Sequence, residues 1–390
     1  MNDLETIKND QDRLLDRAID SMLERARATI ASDLTGFPHY ADTDTGRWTT
    51  TEDGFWTGGF WPGVLWLSGY YSNDRTFWTH AEEWTDRFES RVDSESVFRG
   101  FLFYFAGALG GQLAGNDRAA NLAVRAARSL RQSFNEHVGV IPLGGQAEEA
   151  HTVGETDSNI DSLSASLVMM WAADYANDDD LRQVAITHAL KNADFCVRSD
   201  GSVCQSATFD GKTGAVVRNF THKGYSHDST WTRAQAWAML GYGFLAGKAP
   251  EEPRILELAD RVTSWWMENV PDDLVAYWDF DAPRTPETKR DTAGTAIASS
   301  AMFRLAVAHP DRTRALAYQR LARETTLTLC RDYLTPTSET DQRQVGILTQ
   351  GCFDHTRDVA TDNELIWGDY FLLESLGVLS GALPLGRINI

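Results

Sequence analysis

Apolar residues recur every three or four positions through residues 14–30, 101–113, 119–134, 160–176 and 181–197, the spacing that lines one face of an α-helix. The same pattern resumes at 231–246, 255–268, 295–308, 314–333 and 367–379. No alternating apolar-polar series of comparable length predicts a strand. The expected fold class is therefore all-α. Gly-, Asp- and Thr-rich connections separate the helices at 36–54, 139–159, 200–229 and 334–363, and loops of such length usually carry function. No Pro- or Ser-rich linker and no abrupt change of composition divides the chain, so residues 1–390 are expected to form one domain. Many helices joined in this way predict a ring of helical hairpins with one set of long loops around a central cavity.

Composition narrows the partners. The content of 42% hydrophobic and 24% charged residues is that of a water-soluble protein, and no apolar run approaches the ~20 residues of a membrane span. A net charge of −20 disfavours attraction to nucleic acid or anionic lipid, which clustered Lys and Arg usually meet. Neither partner is expected. Residues 1–20 carry charges at helical spacing and lack the apolar stretch of a secretory signal, so the expected location is the cytoplasm. Cys196, Cys204, Cys330 and Cys352 have no CxxC spacing and read as reduced packing residues. Nothing in the sequence sets the oligomeric state.

Three segments concentrate chemistry. In Phe55-Trp56-Thr57-Gly58-Gly59-Phe60-Trp61-Pro62-Gly63, tryptophans sit among glycines that let backbone approach a ligand closely. Indole suits the flat C–H face of a sugar ring, and its N–H can donate to a hydroxyl. Trp56 is favoured for that contact, and Trp61 and Trp66 for the core. Asp157-Ser158-Asn159-Ile160-Asp161-Ser162 runs onto an apolar helix, where Asp157 best fits a helix cap. Asp161 falls in the first turn, where the helix dipole favours its charge while an apolar lining would raise its pKa. Capping and proton transfer are both open for it.

The third segment, 221–237, is a polar loop running onto a helix. Arg233 and Trp237 lie four apart on one helical face, a cation fork beside an aromatic plate that suits a carboxylate-bearing sugar, unless the arginine pairs with a structural acid. His222 and His227 form no HxxxH or HExxH pattern, so no metal is expected. There is no GxSxG elbow, Walker loop or strand-linked GxGxxG, which removes serine hydrolase, nucleotide and dinucleotide chemistry and implies no cofactor. Carboxylate acid/base chemistry remains.

These segments resemble the unsaturated glucuronyl hydrolases over most of the chain. The resemblance rests on WTGGFWPGVLWL at 56–67, IDSLSASLVMMWA at 160–172, RSDGS at 198–202, STWTRAQAWAMLGYGF at 229–244, RDTAGTAIASSAMFRL at 290–305 and IWGDYFLLESL at 366–376. It implies an (α/α)6 barrel and an enzyme of polysaccharide breakdown that hydrates the C4–C5 double bond of an unsaturated uronic acid left by a lyase. The hemiketal so formed opens and frees the partner sugar. By this resemblance Asp161 is the acid/base aspartate, while Trp56, His222, Arg233 and Trp237 bind the uronyl oligosaccharide.

The chain also departs from the family's pattern. Val97-Phe98-Arg99-Gly100-Phe101 stands where the family usually has a His-Asp pair before Gly-Phe, so a second functional aspartate is missing. Gln205 and Lys223 replace a His and a Gln, and Gly144-Gly145-Gln146 replaces a tryptophan-bearing loop. The leading expectation is an altered substrate, with Arg99 and Lys223 adding donors for a carboxylate or sulfate. Two alternatives stand beside it. Asp228 or Glu155 substitutes for the lost aspartate in glycoside hydrolysis by two carboxylates, or the protein binds sugar without catalysis.

Overall fold

The computed structural model describes residues 2–210, 212–336 and 341–389, with side chains from residue 10 onward. Position 211 of the predicted loop 200–229 and positions 337–340 of the loop 334–363 lie outside the described residues. The helices are α1 (Asn2–Ala31), α2 (Phe60–Ser72), α3 (Arg75–Asp86), α4 (Arg99–Phe103), α5 (Leu109–Ala114), α6 (Asp117–Gln132), α7 (Leu163–Ala176), α8 (Asp179–Cys196), α9 (Thr232–Lys248), α10 (Pro253–Asn269), α11 (Thr292–Ala308), α12 (Arg312–Thr328) and α13 (Ile366–Ser380). A π-helical turn, Tyr104–Ala108, joins α4 and α5 into one rod.

Burial sorts these rods into two rings. Helices α7, α9, α11 and α13 bury nearly their whole length, as do α2 and the α4–α5 rod, because small and apolar residues surround each axis. Each inner rod packs against an outer partner: α2 on α3, α4–α5 on α6, α7 on α8, α9 on α10, α11 on α12 and α13 on α1. Neighbouring inner rods also touch, from α2 to α5, α4 to α7, α7 to α9, α9 to α11 and α11 to α13, and α13 returns to α2. Six hairpins thus close into an (α/α)6 barrel. Side-chain caps start several helices, with Asp74, Asn116, Asp178, Asp291 and Asp311 each accepting from an amide of the following turn. Among the described residues no helix is long and apolar enough to cross a membrane.

The periodicity misses α2 and α3. Every residue from Phe60 to Gly69 is buried, so α2 is a rod of the inner ring, and α3 is its outer partner. As expected, Trp61 and Trp66 go to the core, where the Trp66 indole N–H donates to the Ala106 carbonyl at 2.8 Å. Trp56 remains in the turn before the helix.

The fold depends on a close helix approach at Gly100. A Cβ there would lie 2.4 Å from the carbonyl carbon of Ser164, pressing α4 into the backbone of α7 just beyond Asp161. Gly100→Ala is expected to destabilise the protein by about 1–3 kcal/mol, the usual cost of overpacking, as read from urea unfolding. A variant as stable as wild type would contradict this contact.

The long loops add what periodicity does not show. Among the described residues they form five short strands, β1 (Phe37–Ala41), β2 (Trp48–Thr51), β3 (Ser158–Asn159), β4 (Ser206–Phe209) and β5 (Val216–Phe220), and a sixth, β6 (Glu364–Leu365), follows the last loop. These make two antiparallel sheets of three strands, ordered β2-β1-β6 and β3-β4-β5. Asn159 pairs with Ser206, and Ser206 with Phe220. That register gathers the start of α7, Gln205 and the segment after β5.

Candidate active site

Asp161 sits in a 3₁₀ turn, Ile160–Ser162, between β3 and α7. The turn is capped by Asn159, whose side-chain oxygen accepts from the Ser162 amide at 3.1 Å. This corrects the expectation for Asp157, because a cap binds the amide two or three residues ahead and the helical turn begins only after Asn159. Asp157 instead accepts from the Phe209 amide at 3.0 Å and ties the Asp161 turn to β4.

Apolar side chains close one side of Asp161. Phe101, Leu163, Leu167, Trp237 and Leu240 line a small cavity with it, and the carboxyl is only 8% exposed. On the polar side the Gln205 amide nitrogen lies 3.4 Å from Asp161 Oδ2, and the Gln205 oxygen accepts from the Lys223 backbone amide at 3.1 Å. The Lys223 ammonium reaches back to the 3₁₀ turn Glu148–His151, 3.0 Å from Glu148 Oε2 and 2.9 Å from Glu149 Oε1. Glu148 also accepts from the Trp56 indole N–H at 3.1 Å, and Arg357 lies 3.7 Å away at the rim. His222 Nδ1 lies 2.9 Å from Ser206 Oγ, and its Nε2 stands 3.9 Å from Glu149, beyond hydrogen-bond reach.

These placements set the protonation pattern. Burial pushes the Asp161 carboxyl up, nearby Glu149 adds to the push, and Lys223, Gln205 and Arg233 oppose it, leaving a pKa of about 7. Burial pulls the Lys223 ammonium down, but the carboxylates of Glu148 and Glu149 outweigh it and hold the group charged. Glu149 runs the other way: burial raises it, and Lys223 and His222 more than offset that. The site therefore holds a carboxyl that titrates near neutrality beside the Lys223–Glu149 ion pair.

An aromatic wall surrounds this cluster. The Trp237 ring centroid is 4.7 Å from Phe101 and 6.3 Å from Trp56, and Trp56 lies 5.0 Å from Trp367. Trp237 Nε1 is buried and has no hydrogen-bond partner among the described residues. His39 joins the wall through Phe353 and Trp367, and burial, then Lys223 and Arg233, lowers its pKa to about 3, so it stays neutral.

Of the residues singled out in the sequence, the structure gathers Asp161, Trp56, His222, Lys223 and Trp237. Arg99 turns away, and its guanidinium bonds the Val92 carbonyl, Ser129 Oγ at 2.9 Å and Ser133 Oγ at 3.3 Å, fastening α4 to the end of α6. Its place at the head of an inner rod aims it at the outer partner. Phe98 stacks on Phe101, with ring centroids 6.5 Å apart. Arg233 is fully buried, bonded to Asp291 at 2.9 Å and to the Cys352 and Phe353 carbonyls, with Trp231 4.3 Å from its guanidinium carbon. The pairing with a structural acid thus describes Arg233. Asp228 and Glu155 are exposed and outside the cluster. The buried carboxylates beside Asp161 are Glu148 and Glu149, which a polar loop hid in the sequence, and adjacent acids before a predicted catalytic turn were the only signal.

No protein-family model matches the chain. Known proteins do. The chain is 31% identical over 351 residues to the unsaturated glucuronyl hydrolase of Bacillus sp. (strain GL1), covering 87% of this chain and 90% of that one. It is 27% identical over 372 residues to the unsaturated chondroitin disaccharide hydrolase of Streptococcus pyogenes serotype M1, covering 92% and 90%. The crystal structure of the unsaturated glucuronyl hydrolase from Bacillus sp. GL1 superposes with a TM-score of 0.85 at 28% identity, over 94% of this chain and 96% of that one. Barrel, acid and relatives together define a glycoside hydrolase. The chain belongs to the unsaturated glucuronyl hydrolase family.

Proposed function

We propose that this protein hydrates the C4–C5 double bond at the unsaturated uronyl end of an oligosaccharide, with Asp161 as the acid/base. The observation that carries this reading is a buried Asp161 carboxyl with a pKa of about 7, set among tryptophans. A general acid works best with its pKa near the operating pH. Asp161 donates its proton to C4, water adds at C5, and the water's surplus proton returns to the Asp161 carboxylate. The hemiketal opens and the partner sugar leaves. Trp56 and Trp237 flank the sugar, the Trp237 N–H offers it a donor, and Lys223 supplies a cation. The relatives named for glucuronyl and chondroitin disaccharide substrates support a uronic sugar.

The test is incubation with unsaturated uronyl di- and trisaccharides from several lyases while the ultraviolet absorbance of the double bond is followed. Loss of absorbance is expected, and no loss with any of them would reject the reading. Release of reducing sugar from saturated glycosides would point to ordinary glycoside hydrolysis, and binding without turnover to a sugar-binding protein. The protonated form of Asp161 is the active one, so kcat/KM is expected to fall as pH rises through about 7. A rate that climbs through that range would assign the proton transfer to another group.

A further inference from the structure

We infer that Glu149 is a working member of the site, a positioning residue that, through a buried chain of contacts, holds the Lys223 ammonium and offsets the pull of that cation on the Asp161 carboxyl. The inference rests on the assignment of Asp161 as the acid. The chain is geometric: Glu149 Oε1 lies 2.9 Å from Lys223 Nζ, the Lys223 amide donates to Gln205 Oε1 at 3.1 Å, and the Gln205 amide nitrogen lies 3.4 Å from Asp161 Oδ2. Every member is buried, with Glu149 and Lys223 each 3% exposed and Gln205 fully enclosed. The second oxygen, Glu149 Oε2, is buried and has no hydrogen-bond partner among the described residues, while Oε1 is paired with Lys223. A carboxylate left in that state acts on neighbours through a low-dielectric interior.

The charges packed around Asp161 come from several elements. The turn 148–151 brings Glu149, with Glu148 beside it; the segment after β5 brings Lys223; and α9 brings Arg233, while Asp354, in the segment following Cys352, acts on His222 and Lys223. Arg233 is already matched by Asp291, and Lys223 is shared by two glutamates. Glu149 is the acidic group whose charge pushes Asp161 towards its neutral form, in the same direction as burial. Glu148 has a different task, because it is the one hydrogen-bonded to Trp56 and faced by Arg357 at the rim. Two adjacent glutamates thus divide the work: Glu149 sets the acid, and Glu148 anchors the sugar-stacking indole.

The test needs no substrate, which separates it from the test of the reaction itself. The Asp161 carboxyl is titrated by carbon-13 NMR in the intact protein and identified by the signal lost in Asp161→Asn. Wild type is expected to titrate near neutrality, and an Asp161 that titrates in the ordinary carboxylate range would overturn the inference, whatever the variants do. In Glu149→Gln, Asp161 is expected to titrate lower by about one pH unit or more, the effect of removing a like charge and freeing the Lys223 ammonium. The descending limb of kcat/KM should move to lower pH by the same amount. An unmoved Asp161 in a folded Glu149→Gln protein would overturn the inference, and restoration of the limb by Glu149→Asp would support it.

Discussion

Asp161→Asn is expected to lower kcat/KM by about 10²- to 10⁴-fold on an unsaturated uronyl disaccharide, the range that a positioned general acid contributes. The amide matches the carboxyl in shape but has no acidic proton to give to C4. The barrel is expected to survive, because the turn is capped by Asn159 and tied to β4 by Asp157, neither of which involves the Asp161 side chain. Stability supplies an independent check of sign. The folded pKa of Asp161 is about 7 against an ordinary value of 3.8, so its proton is held more tightly in the folded protein. That contribution is fully present below about pH 4 and is lost as pH rises through about 7. The amide variant has nothing to lose over this window. Its melting temperature relative to wild type should therefore climb between pH 5 and pH 8. Near-wild-type turnover, or a flat difference in melting temperature, would remove Asp161 from its proposed role.

The largest expected loss of stability comes from Arg233→Leu, at about 3–5 kcal/mol, the cost of removing one partner from a buried ion pair. The leucine would strand the Asp291 carboxylate, fully buried at the cap of α11, and would release the Cys352 and Phe353 carbonyls that Arg233 holds. Phe353 is part of the aromatic wall, so activity should fall as the fold loosens. Arg233→Lys should recover only part of the loss, because a single ammonium cannot reproduce the planar fork. Chemical denaturation measures both variants. An Arg233→Leu protein of wild-type stability with only a raised KM would show that the fork serves substrate rather than the barrel.

Arg233 shows where sequence reasoning reaches its limit. Spacing placed it correctly on one helical face with Trp237, and both end on the inner surface of α9. A helical face reports direction, however, and not what stands opposite. Asp291 is 58 residues away and Cys352 is 119 residues away, so neither contact leaves a mark in the local pattern. Arg99 failed for the same reason: its charge in a substituted motif read as a new ligand donor, and its position at the head of α4 aims it at Ser129 and Ser133. Trp61 and Trp66 succeeded because large apolar side chains at helical spacing rarely have another destination.

Much of the architecture follows from the chain alone. Apolar residues at helical spacing reveal most of the helices, inner and outer, and the family motifs at 160–172 and 229–244 bring Asp161 and Trp237 into one expected site. Helix α2 escaped although α7, α9, α11 and α13, buried to the same degree, did not. What the tertiary structure alone decided is the electrostatic company of the acid. Glu148 and Glu149 reach Lys223 across 74 or more residues of chain, through strands of two residues and a single 3₁₀ turn that carry no periodic signal. The residue types that can transfer a proton are written locally, whereas the pKa of the one that does so depends on burial and on charges that only folding brings together.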